Sequence, residues 1–100
     1  MTHQIRFRPE AEQELADALD WYESQRLGLG DELVLCVEQA LDRIVENPEH
    51  FPVVHGSIRR ALMRRFPYGV HYVMQGDDIV VLAVFHARRD PQAWRERSGG

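Results

Sequence analysis

Cysteine occurs once in this chain, at Cys36, so no internal disulfide can form, and a reducing compartment, the cytoplasm, is the expected setting. Lysine is absent; all twelve basic residues are arginine. Long apolar runs are missing too. The longest, Ile79 to Phe85, falls far short of the roughly 20 residues a helix needs to cross a bilayer, so no membrane span is expected. The N-terminus has no basic leader followed by an apolar stretch, which gives no sign of export. No glycine-rich phosphate loop, serine elbow or Cys-x-x-Cys pattern occurs, and repeats and low-complexity segments are lacking. His50 and His55 lie beside Glu49, but their spacing fits no metal motif and no cysteine joins them. Neither a metal nor a cofactor is expected.

What is present is the composition of one small globular domain: 100 residues, 44% hydrophobic and 28% charged. Residues 1–97 are expected to form it, with 98–100 as a flexible tail. The net charge of −4 conceals an asymmetry. Residues 1–50 carry four arginines against twelve acidic residues, a net of −8. Residues 51–100 carry eight arginines against four acids, a net of +4. The basic half suits an acidic partner, and the acidic half repels a polyanion.

Ile5 and Phe7 alternate with Gln4, Arg6 and Arg8, as in a short strand with one buried face. Pro9 suits the first position of a helix, and Glu10, Glu12 and Glu14 load its first turns with charge that favours the positive end of the dipole. Ala11, Leu15, Ala18, Leu19 and Tyr22 make its apolar stripe, which predicts a helix to about Gln25, with Trp21 at the rim of the stripe. Gly28-Leu29-Gly30 breaks the chain, and Asp31 is the expected N-cap of a second helix. Its stripe is Leu33, Val37, Ala40, Leu41 and Ile44, widened by Val34, Cys36 and Val45, and Asn47-Pro48 stops it.

A loop is expected from Glu49 to Ser57. Three strands follow: an arginine-rich one from Ile58 to Phe66, then Gly69 to Gln75, then Ile79 to His86. Short turns make them sequential antiparallel neighbours, and the continuous apolar run of the last marks a central strand buried on both faces. Arginines 59, 60, 64 and 65 would protect an exposed edge or meet a partner. Of His71 and Tyr72, at least one should pack in the sheet. Asp90-Pro91 resembles the start of a short terminal helix anchored by Trp94. The fold class is α+β, in the order β-α-α-β-β-β: an α-hairpin packed on a small, mainly antiparallel sheet with a short C-terminal helix.

The order of elements carries a set of short motifs: Phe7-x-Pro9-x-Ala11, Trp21-Tyr22-Glu23, Gly28-Leu29-Gly30, Pro48-x-x-Phe51-Pro52, Ile58-Arg59-Arg60, Arg65-Phe66-Pro67-Tyr68 and His86-x-Arg88-Arg89-Asp90-Pro91-x-x-Trp94. Together they resemble the RelE/ParE superfamily of plasmid-stabilisation toxins. The resemblance implies the toxin of a type II toxin–antitoxin pair, neutralised by a small antitoxin, acidic and partly disordered. ParE-like members inhibit DNA gyrase, and RelE-like members cut messenger RNA on the ribosome. Arg59, Arg60, Arg64, Arg65, Arg88, Arg89 and Trp94 are the partner-binding candidates. A nuclease would need an acid or base and cations for the phosphate, for which His86, Arg88, Arg64 and Tyr68 are the candidates. The tail after His86 resembles the ParE-like branch. The lack of lysine and the overall negative charge also disfavour docking to a ribosome. The expected reading is a ParE-like inhibitor acting by binding. The alternatives are a ribosome-dependent endoribonuclease and a family member that binds antitoxin without toxicity.

Overall fold

The computed structural model describes residues 3–88, 92–95 and 97. The expected cap at Asp90-Pro91, Arg89 and the 98–100 tail lie outside the described residues. Strand β1 (Ile5–Phe7) leads into helix α1 (Pro9–Gln25), which a glycine turn connects to α2 (Leu29–Glu46). Four strands follow: β2 (Val53–His55), β3 (Ile58–Leu62), β4 (Tyr68–Gln75) and β5 (Asp78–His86). A single helical turn, α3 (Gln92–Arg95), comes after them. The five strands form one sheet in the order β1-β5-β4-β3-β2, antiparallel except for the parallel pair β1–β5.

The two-helix, one-sheet α+β architecture is the one the periodicities imply, with one strand more. Val53–His55, expected as loop, pairs with β3. Its two valines are adjacent and do not alternate with polar residues, so no strand period shows. This addition corrects a second expectation. The arginine-bearing strand β3 is interior, between β2 and β4, so its arginines guard no edge. It also stops at Leu62 instead of Phe66; Met63 and Phe66 are buried in the turn that follows.

Asp31 does not cap α2. The helix starts two residues earlier, after Gly28 at φ 90°, a left-handed conformation that glycine adopts without steric cost. The cap comes from Glu23 on α1, whose carboxylate accepts the backbone N–H groups of Gly28 at 3.0 Å and Gly30 at 2.9 Å. These bonds hold the Glu23 carboxyl below its usual pKa.

The sheet is covered on both faces. Ala11 and Ala18 of α1 and Leu33, Val37, Ala40 and Ile44 of α2 pack with Val70, Tyr72, Ile79, Val81 and Val84. Ile58, Val73, Val80, Leu82, Ala83 and Phe85 form a second cluster with Trp94 on the opposite face. Strand β5 changes phase between the two. Tyr72 pairs with Val81 and His71 with Ala83, which leaves Leu82 as an extra residue, a β-bulge. Before the bulge, odd-numbered residues of β5 face the helices; after it, Val84 does.

Candidate functional site

The phase change sends the end of β5 toward α1. Val84 and His86 line a cleft of about 430 Å³ with Trp21, Tyr22, Tyr68 and the acidic residues Glu14 and Asp17. Tyr68 and His86 are cross-strand partners, with rings 5.3 Å apart at 75°. Tyr22 stands edge-on to Phe66 at 4.9 Å and to Tyr68 at 6.2 Å, and Trp21 edge-on to Tyr22 at 4.9 Å. The result is an aromatic wall that runs from helix to sheet. Trp21 is 57% exposed at its open end, so the sequence placed it correctly at the rim of the stripe. Burial, helped by Tyr68, raises the pKa of the Tyr22 hydroxyl, which stays neutral.

The ring of His86 has a defined role in the cleft. Its Nδ1 accepts the backbone N–H of Arg88 at 3.1 Å. The neutral imidazole then carries its proton on Nε2 and presents a donor to its surroundings.

Glu14, which lines the cleft, belongs to an ion pair. β1 ends at Phe7, so beyond Val81 the β5 backbone has no strand on that side. Glu14 of α1 accepts the Val84 N–H at 3.2 Å, and Arg97 donates to the Leu82 carbonyl at 2.9 Å. The two side chains grip each other at 3.0 and 3.1 Å, both more than four-fifths buried. A carboxylate and a guanidinium thus satisfy backbone groups that a longer β1 would have paired. Nothing in the sequence marked this pair: the two residues lie 83 positions apart.

The candidate arginines divide. Arg59 donates to the carbonyls of Glu49 at 3.0 Å and Phe51 at 2.7 Å, tying the β2 approach to β3. Arg60 lays its stem over Gly69, where a Cβ would come within 3.0 Å of it. Arg65 pairs with Glu32 at 2.5 Å, and Glu32 also binds Arg26 at 2.6 Å. Arg64 is exposed and lines a separate groove with Arg43, His50 and Phe51. Arg88 is exposed beside His86. Of the four nuclease candidates, Tyr68 and His86 share the cleft, Arg88 follows two residues after His86 with its backbone bonded to the ring, and Arg64 lines another groove.

On the far face of the sheet, His71 is 3% exposed and packs against Trp94 with ring centroids 4.3 Å apart. Both His71 and Tyr72 are buried, because the strand is covered on both sides. Tyr72 donates its hydroxyl to the Pro48 carbonyl at 2.5 Å, and burial pushes its pKa up to about 12. His71 is pushed down to about 4, chiefly by burial, with the Arg60 and Arg97 charges adding and the Gly69 backbone opposing. Cys36 is a buried free thiol in the helix core. Among the described residues no group of three or more potential metal ligands occurs, and no helix is long and apolar enough to cross a membrane.

The family model for the ParE toxin of type II toxin–antitoxin systems matches residues 5–91, from the first strand through the segment after His86. The chain belongs to the ParE toxin family. This makes it the toxin component of a type II toxin–antitoxin system, and places it on the ParE-like side of the wider RelE/ParE group. The fold agrees. A chain of the chromosomal ParDE toxin–antitoxin system from P. aeruginosa superposes with a TM-score of 0.74 at 14% identity, covering 84% of this ParE-family chain and 95% of that one. No curated protein sequence matches it. At 14% identity the solved structure speaks for the fold, and the family match speaks for the class.

Proposed function

We propose that this ParE-family toxin arrests growth by binding DNA gyrase, and that a cognate antitoxin, acidic and partly disordered, neutralises it by folding onto its surface. The target rests on resemblance to ParE-like toxins, and the cytoplasm is where such a target is met. The observation that favours action by binding is the aromatic cleft. A half-open wall of Trp21, Tyr22, Tyr68 and His86 offers rigid, amphipathic anchors of the kind that dominate protein interfaces. An antitoxin segment would seat apolar side chains there and set its carboxylates against Arg64, Arg65 and Arg88, which all stand exposed. Trp94 is buried, so its part in binding is to support the sheet from behind.

The cleft suits RNA cleavage less well. Asp17 on its wall repels phosphate while Glu14 is already paired with Arg97, and with Nδ1 accepting from Arg88 and Nε2 protonated, the neutral His86 ring has no nitrogen left to act as a base. One preparation, assayed for inhibition of gyrase supercoiling and for cleavage of ribosome-bound messenger RNA, separates the readings. Supercoiling inhibited without cleavage is the expected result, and it should be relieved by the product of the adjacent reading frame. Cleavage that is lost in His86→Ala would overturn the proposal. A protein inert in both assays whose expression leaves growth unchanged would identify an antitoxin-binding member without toxicity.

A further inference from the structure

The face of the sheet opposite the helices holds a second, smaller cleft of about 210 Å³, between β3, β4 and the turn α3. It differs from the aromatic cleft in charge. Arg60, His71, His86, Trp94 and Arg95 line it, and among the described residues no carboxylate does. Two of its lining side chains carry nitrogen atoms shielded from solvent with no hydrogen-bond partner among the described residues: Nε of Arg60 and Nδ1 of His71. Arg60 and His71 are cross-strand neighbours, so the two atoms belong to one site. Arg60 Nε always carries a proton and so is a donor without an acceptor. The neutral tautomer with its proton on His71 Nδ1 adds a second. Buried donors are seldom left unpaired, and each such case asks for a missing acceptor.

We infer that this cleft binds a single phosphate group, which accepts from Arg60 Nε and His71 Nδ1 in the field of the Arg60 and Arg95 guanidinium groups. The size fits. Small-molecule sites usually occupy about 300–1,000 Å³, so this cleft takes a compact tetrahedral oxyanion and leaves the remainder of a larger phosphate ester outside. Trp94, stacked on His71 at a 34° tilt, closes one side and makes a built-in reporter. The site lies across the sheet from the partner-binding cleft and shares His86 with it, but neither unpaired nitrogen lines that cleft, and the inference does not depend on whether the toxin acts on gyrase.

The full-length protein carrying Trp21→Phe leaves Trp94 as its one fluorophore of that type. Titration with inorganic phosphate at constant ionic strength should change its emission saturably, with one site per chain by calorimetry. Arg60→Met, which keeps a stem over Gly69, should weaken binding at least tenfold. A phosphorylated dinucleotide forms the second arm. Binding tighter than phosphate points to a nucleic-acid strand as the source, and equal or weaker binding points to a free phosphate. Acetate binding as well as phosphate, or unchanged affinity in a folded Arg60→Met protein, overturns the proposal. Should that variant fail to fold, the imidazole nitrogen resonances of His71 in the wild type decide. They must shift with phosphate and not with chloride, and no shift overturns the site.

Discussion

The carboxylate of Glu23 occupies the place that a side chain on Gly30 would need. A Cβ built on Gly30 would fall 2.9 Å from the Glu23 Oε1 that accepts the Gly30 N–H. The glycine lets the helix end approach, and the carboxylate caps it in place of a local side chain.

This relationship predicts an acid-sensitive hairpin. The folded pKa values of Glu23 and of Glu32, the latter lowered by bonding to Arg65 and Arg26, lie below the ordinary 4.5. Their contribution is therefore complete above pH 4.5 and is lost as the pH falls through the lower folded values. Thermal unfolding between pH 4.5 and pH 3 should show the loss, and Glu23→Gln with Glu32→Gln should reduce the fall in that range. Gly30→Ala should mimic Glu23→Gln by displacing the carboxylate.

His71 titrates in a different window, with the same sign. Its folded pKa of about 4 lies below the usual 6.5, so the unfolded chain binds the proton more readily. Stability is complete above pH 6.5 and falls as the pH drops toward 4, by at most roughly 3 kcal/mol. Urea denaturation at pH 7.5 and pH 5 should resolve this fall, and a folded His71→Gln protein should lose it.

The Glu14–Arg97 pair ties the end of the described chain to the open side of β5. Arg97→Met removes one partner of a largely buried pair and leaves the Glu14 carboxylate with the Val84 N–H alone, which should cost about 2–3 kcal/mol. The double variant Glu14→Gln/Arg97→Met should recover part of this cost in a denaturation cycle, because no unpaired charge remains. Strictly additive losses would show that the two residues act separately.

Trp21 tests the aromatic wall. It is more than half exposed, so Trp21→Ala should change folding stability by no more than about 0.5 kcal/mol. If the wall anchors a partner, the same change should weaken association with the cognate antitoxin tenfold or more, mainly through faster dissociation. Surface-binding kinetics with the product of the adjacent reading frame would measure it. An unchanged dissociation rate would remove the cleft from the interface.

The elements themselves were legible because their signals are local. Helix α1 follows from Pro9, the early acids and the stripe from Ala11 to Tyr22, and the central position of β5 follows from its unbroken apolar run. The same unbroken run hides the bulge at Leu82. Where both faces of a strand are buried, the sequence has no alternation, and an inserted residue leaves no trace. Yet that residue turns Val84 and His86 toward α1, beside Tyr68, and so creates the cleft. Charge balance and the family motifs came from the sequence alone. The Glu23 cap, the Glu14–Arg97 pair and the division of the arginines between backbone bonds, ion pairs and solvent depend on contacts between residues distant in the chain, which composition and spacing do not encode.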